Sequence, residues 1–122
     1  MTTSHSAPHA APSQAVRRLS QVMEETSIDA TGVARILDRD PKTVRRWLRN
    51  ETAPRWEVRE VLLSLNVVLE RLAGVLDPAA AQDWLFTPVP ALDYQRPVDL
   101  IRAGHAREVL GLIDAIGEGV FA

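Results

Sequence analysis

Asp40-Pro41-Lys42-Thr43-Val44-Arg45-Arg46-Trp47-Leu48-Arg49 reads as a short helix with two unlike faces. At about 100° per residue, Val44, Trp47 and Leu48 share one side, while Lys42, Arg45, Arg46 and Arg49 lie almost opposite. One side is suited to packing and the other carries four positive charges. The ends are marked as well. Asp40 has the short acceptor side chain of an N-cap, and Pro41 suits the first helical position, where a backbone N–H would find no helical partner. Asn50 tolerates the left-handed conformation that closes a helix. So short a helix does not persist alone in water. Its support is the preceding Ala30-Thr31-Gly32-Val33-Ala34-Arg35-Ile36-Leu37, with Val33, Ile36 and Leu37 at helical spacing and only residues 38–40 between the two segments. Two short helices so joined predict a helix-turn-helix, whose second helix enters the major groove of DNA. In that reading Thr43, Arg45 and Arg46 face base edges, and Lys42, Arg49 and Arg55 meet phosphates.

Charge is distributed accordingly. The chain of 122 residues has 14 basic and 16 acidic side chains, yet residues 35–55 hold seven basic against three acidic. The basic footprint is local, as a DNA-contacting surface requires. The competing reading is a merely solvated charged face, the commoner fate of Arg-rich helix surfaces. Residues 57–122 hold five basic and ten acidic residues.

Composition narrows the classes further. A content of 46% hydrophobic residues suits one compact domain or two small helical halves sharing a core. The longest apolar segment, residues 58–76, is interrupted by Glu60, Ser64, Asn66, Glu70 and Arg71. No basic start leads into an apolar signal core, so a cytoplasmic protein without a membrane span is expected. There is no cysteine, and two of the three histidines, His5 and His9, lie near the start, which leaves no basis for a zinc or haem site; no cofactor is expected.

Residues 1–12, rich in Ser, Thr, Ala and Pro without apolar period, are expected to be a disordered tail. Helical period begins after Ser13 with Val16, Leu19 and Val22, and continues to about Glu25. A long helix is expected from Trp56 to Leu76, with Val58, Val61, Leu62, Leu65, Val68, Leu69, Leu72 and Leu76 in one stripe. Leu63 and Val67 lie one turn apart on its far side, where burial by the chain's own N-terminal half competes with a two-fold homodimer contact. Asp77-Pro78 opens a short helix through Trp84, Thr87-Pro88-Val89-Pro90 an extended connector, and Arg96-Pro97 a short helix that Gly104 ends. A last helix covers about His105 to Glu118. Trp47, Trp56 and Trp84 are expected in the core. No segment alternates as strands do, so the fold is expected to be all-α.

The ordered set Trp84-Leu85-Phe86-Thr87-Pro88, Leu92, Arg96-Pro97-Val98-Asp99-Leu100-Ile101, Gly104, Val109-Leu110, Ile113-Asp114-Ala115-Ile116 and Glu118-Gly119-Val120-Phe121-Ala122 resembles the Xre/MbcA/ParS-type antitoxins. Ala34, Leu37, Thr43, Val44, Trp47 and Leu48 are similar to the Xre-like helix-turn-helix that precedes this module. The resemblance implies a type II antitoxin that neutralises a RES-domain toxin, whose fold degrades NAD. It also implies that the antitoxin commonly represses its own operon by binding operator DNA as part of the complex, and a homodimer within a hetero-oligomeric complex is expected. Residues 13–76 would form the helix-turn-helix region and 77–122 the toxin-binding module. Toxin contact is thereby expected from Trp84, Pro97, Asp99, Leu100, Val109, Ile113, Ile116, Gly119, Val120, Phe121 and Ala122. The extreme C-terminus would reach into the toxin's active-site cleft.

Residue chemistry agrees in outline. On the last helix Ala106, Val109, Leu110, Leu112, Ile113 and Ile116 span an arc of about 160°, wider than one packing face needs. Gly117 and Gly119 loosen its end, leaving Phe121 beside the Ala122 carboxylate, either folded back on the core or protruding as an anchor. Two departures from the family pattern stand out. Asp38-Arg39 replaces Gly and an apolar residue in the turn, so Arg39 cannot be a buried plug there, and Asp93-Tyr94-Gln95 stands where glycine is frequent. Three rival readings remain. Catalysis has only Asp99 and His105 as a nearby acid–base pair and no nucleophile elbow. A stand-alone helix-turn-helix regulator, and a toxin-binding module with a vestigial helix-turn-helix, differ in whether a protein partner or an operator is bound.

Overall fold

A computed structural model of the chain describes residues 13–119. The expected N-terminal tail and the final Val120, Phe121 and Ala122 lie outside them. Among the described residues the fold is all-α, as expected: α1 (Gln14–Thr26), α2 (Ala30–Leu37), α3 (Pro41–Leu48), α4 (Trp56–Ala73), α5 (Pro78–Leu85), a 3-10 turn (Pro90–Leu92), α6 (Pro97–Arg102) and α7 (Ala106–Gly117).

Local sequence sets most of these boundaries. Ser13, Asp29, Asp40 and Asp77 are N-caps whose side chains accept the backbone N–H of Val16, Gly32, Lys42 and Ala80. Three helices end in Schellman motifs, with residue C′ left-handed: Asp38 (φ 58°), Asn50 (φ 62°) and Gly104 (φ 86°). The turn at Asp38 is closed by backbone hydrogen bonds, Arg39 N–H to Ala34 O at 2.9 Å and Asp38 N–H to Arg35 O at 3.3 Å. Arg39 is exposed, and no plug fills the space beneath it. A groove of about 500 Å³ opens there between the turn, Val58, Val61 and Arg102.

Helix α4 is the spine. Leu62, Leu65, Val68, Leu69 and Leu72 are buried along it, against α1 on one side and α5, α6 and α7 on the other. Asn66, which interrupts the apolar run in sequence, is itself buried and donates from Nδ2 to Ala15 O at 3.1 Å, pinning the start of α1 to mid-spine. Three expectations are corrected. Helix α4 stops at Ala73 rather than Leu76, since Gly74 caps it and Val75 and Leu76 turn away. Trp56 is 64% exposed, because it sits opposite the α4 stripe in helical phase. The connector after Thr87 is not simply extended. Val89 bridges to Gln95, the 3-10 turn lies between them, and Asp93 and Tyr94 both take positive φ, 61° and 62°.

Candidate functional site

Two surfaces gather the residues singled out by sequence. On α3, Val44 and Trp47 are buried and Leu48 half-buried against α2 and α1, which turns Lys42, Arg45 and Arg46 outward. Arg49 and Arg55 are exposed on the following segment and Thr43 is half-buried. Arg49 is paired with Glu51 at 2.9 Å. Lys42, Arg45, Arg46 and Arg55 have no ion-pair partner among the described residues, so their charges face solvent. The result is one cationic ridge rising from the N-terminus of α3 to that of α4.

The second surface lies at the other end of the chain. Trp84 on α5, residues 88–91 of the connector, and Leu112 and Ile116 on α7 line an apolar groove of about 500 Å³. Trp84, Leu112 and Ile116 are only half-buried. Beyond it α7 ends at Gly117, and Gly119 (φ 76°) turns the backbone where a side chain would be strained. Val120, Phe121 and Ala122, expected to contact a toxin, lie outside the described residues.

The other expected toxin-contact residues do not join this groove. Pro97, Leu100, Val109 and Ile113 are buried in the chain's own core and offer no open surface. Asp99 is exposed but engaged. Arg96 donates to both its oxygens, Nε to Oδ2 at 2.8 Å and Nη2 to Oδ1 at 2.9 Å, and Arg102 Nη1 stands 3.6 Å from Oδ1. The Arg96 hydrogen bonds, reinforced by the charges of Arg96 and Arg102, hold the carboxyl below its ordinary value, and the same bonds raise Arg96.

These arginines also join the two halves, which sequence reading did not foresee. Arg102 donates from Nε to Ile36 O and from Nη2 to Arg35 O, both at 2.8 Å, adding a charged donor to the last carbonyls of α2. Arg35, counted with the basic footprint in sequence, lies over the Phe86 ring at 3.9 Å from its centroid, and Arg96 approaches the same ring at 5.8 Å. At Gly32 a Cβ would come within 3.0 Å of Ile28 Cγ2 and 3.3 Å of Gln82 Oε1, so α5 can approach α2 closely there. Sequence separations of 66 and 67 residues leave no local signal for the Arg102 bonds.

Among the described residues no group of acidic or histidine side chains is placed to hold a metal, and no helix is long and apolar enough to cross a membrane. What the fold presents is a set of exposed cations on and after α3 and a separate apolar groove between α5, the connector and α7, with the two halves joined by the Arg102 hydrogen bonds and the Arg35–Phe86 contact. Comparison with known proteins gives the class. Residues 69–119 match the Antitoxin Xre/MbcA/ParS C-terminal toxin-binding domain. The Mycobacterial cidal antitoxins MbcA of Mycobacterium bovis and Mycobacterium tuberculosis are 38% identical to the chain over 109 residues, 89% of this chain and 90% of theirs. A chain of the crystal structure of the M. tuberculosis MbcT-MbcA toxin-antitoxin complex superposes with a TM-score of 0.76 at 34% identity, covering 90% of this chain and 99% of that one. The protein belongs to the Xre/MbcA/ParS-type antitoxin family.

Proposed function

We infer that this antitoxin binds and neutralises a cognate RES-fold toxin that degrades NAD, and that residues following Gly119 occlude the toxin's active site. Residues 77–122 form the toxin-binding module and 13–76 a helix-turn-helix that binds operator DNA and represses the chain's own operon, the protein acting as a homodimer within the complex. The observation that carries the toxin reading is the open apolar groove over Trp84, residues 88–91, Leu112 and Ile116, at the base of the C-terminal tail. It provides an anchoring surface next to the segment that would enter the toxin. The relative of known structure belongs to a toxin-antitoxin complex, which favours the same partner class. Twice as many acidic as basic residues in 57–122 suit approach to a basic cleft that accepts NAD phosphates. The DNA reading draws on the four unpaired cations of the α3 ridge.

Co-expression with the neighbouring open reading frame tests the first reading. The full-length chain should co-purify with that product and suppress its NAD consumption. A version ending at Gly117 should release NAD consumption while retaining the complex through the groove. A neighbour that neither binds nor consumes NAD overturns the reading and leaves a stand-alone regulator. Replacing Arg45 and Arg46 by Ala should abolish operator binding and leave neutralisation intact. An unaltered DNA complex would remove α3 from the interface, and absence of any specific complex with the native chain would make the helix-turn-helix a scaffold.

A further inference from the structure

Three of the four large hydrophobic side chains exposed among the described residues lie on one helix: Trp56 (64%), Leu63 (42%) and Val67 (37%) on α4. At 100° per residue they fall within an arc of about 40°, opposite the buried stripe. Residues 56, 60, 63, 67, 70 and 74 follow the alternating four-and-three spacing of a helix–helix seam. We propose that this face of α4 is the self-association surface of the antitoxin, where two copies pack their α4 helices antiparallel about a two-fold axis level with Leu65. The proposal rests on the homodimer reading above and specifies its interface and register.

The seam is self-complementary in that register. Leu63 falls opposite Val67 of the second copy, and Trp56, the bulkiest seam residue, falls opposite Gly74, which has no side chain to obstruct it. Arg59 and Glu70 lie on one flank of the seam, Glu60 and Arg71 on the other. An antiparallel two-fold pair therefore sets Arg59 beside Glu70 of the second copy on one flank and Glu60 beside Arg71 of the second copy on the other, so Glu60 and Glu70, which fall level across the seam, each have an arginine of the opposite copy next to them. Beside Leu63 an open groove of about 240 Å³, rimmed by Gln14, Arg17, Arg18 and Gln21, leaves room for a side chain of the second copy. The intramolecular partners of the flank charges, Arg18 for Glu70 and Asp114 for Arg71, form surface pairs that can be shared or exchanged at little cost. Trp56 and Gly74 are separated by about 27 Å along the helix, so the two α4 N-termini, each preceded by α3, stand on the scale of the roughly 34 Å between half-sites one DNA turn apart.

The chain has no cysteine, so engineered thiols report the register without competition. Leu63→Cys and Val67→Cys proteins, each full-length, would be oxidised separately and as a mixture, with mass measured by light scattering. The expected result is a covalent dimer formed only in the mixture. Residues 63 and 67 of opposite copies stand level with each other across the seam, whereas like residues are offset by about 6 Å along the helix. In parallel, Arg59→Glu should shift the native dimer toward monomer, and adding Glu70→Arg to it should restore the dimer, with far-UV circular dichroism confirming the fold. A native protein that is monomeric across the concentration series overturns both the homodimer and its interface. A native dimer that survives Leu63→Glu/Val67→Glu and gives no mixed disulfide retains the homodimer and overturns this interface.

Discussion

Both oxygens of Asp99 are taken by Arg96, Arg102 stands beside them, and the two arginines reach on to different partners, Arg96 toward the Phe86 ring at the end of α5 and Arg102 onto the α2 carbonyls of Arg35 and Ile36. A side chain that family resemblance assigns to a partner is thus engaged within its own chain, orienting two cations. Because its folded-state carboxyl titrates below the ordinary value near 4, the ionised form stabilises the fold above that pH, and the contribution is lost as pH falls through the lower folded value. Arg96, shifted upward, stays charged throughout. Asp99→Asn should therefore lower the melting temperature slightly at neutral pH, with the difference closing below about pH 4. A gap unchanged down to about pH 3 would assign the effect to something other than ionisation. Arg102→Ala should cost about 1–2 kcal/mol in urea unfolding, since two carbonyls lose a charge-assisted donor. Arg102→Lys should recover only part of that, because an ammonium cannot span both oxygens as the guanidinium does.

Helix α7 separates packing from contact on a single element. Val109 and Ile113 face the core, while Leu112 and Ile116 face the groove. Val109→Ala should destabilise the fold by about 2 kcal/mol through the space it vacates and leave toxin affinity unchanged at temperatures where the protein is folded. Ile116→Asp should do the reverse, with a near-native melting curve and complex formation weakened at least tenfold in a binding titration. Loss of both properties in either variant would deny the division. Helices were legible in sequence to the extent that caps and periodicity announce them. Ser13, Asp40 and Asp77 placed three starts correctly, and the α4 stripe picked out the side chains that form the spine. Residue type misled at Trp56, whose phase on α4 already placed it outside. Leu76 was in phase but lay beyond the Gly74 cap. The fold of residues 89–95 was hidden because two consecutive non-glycine residues take left-handed backbone, at a cost of about 1–2 kcal/mol each that no local pattern predicts. Tyr94, 72% exposed at the tip, is held out by that loop. The α3 surface was the easiest to read, because caps, apolar face and charges all fall within ten residues.

At the scale of the molecule the two halves share α4 and are locked through Arg102 and the Arg35–Phe86 stack, so they should unfold together. Trp47 is buried in the N-terminal half and Trp84 lines the groove, so variants carrying only one of the two tryptophans, with Trp56 also replaced, report each half separately. Their denaturation midpoints should coincide with each other and with far-UV circular dichroism; separate midpoints would show two independent units. The long-range contacts behind this were beyond sequence reading, since nothing near Arg102 announces a carbonyl 66 residues away. The same capping bears on how such chains can be inherited. A recombination event that joined the first four helices of one relative to the last three of another would leave the carbonyl end of α2 relying on an arginine selected in a different lineage. New partner specificities are therefore expected to arise by point changes at the surface, or by crossovers that carry α2 and α6 together.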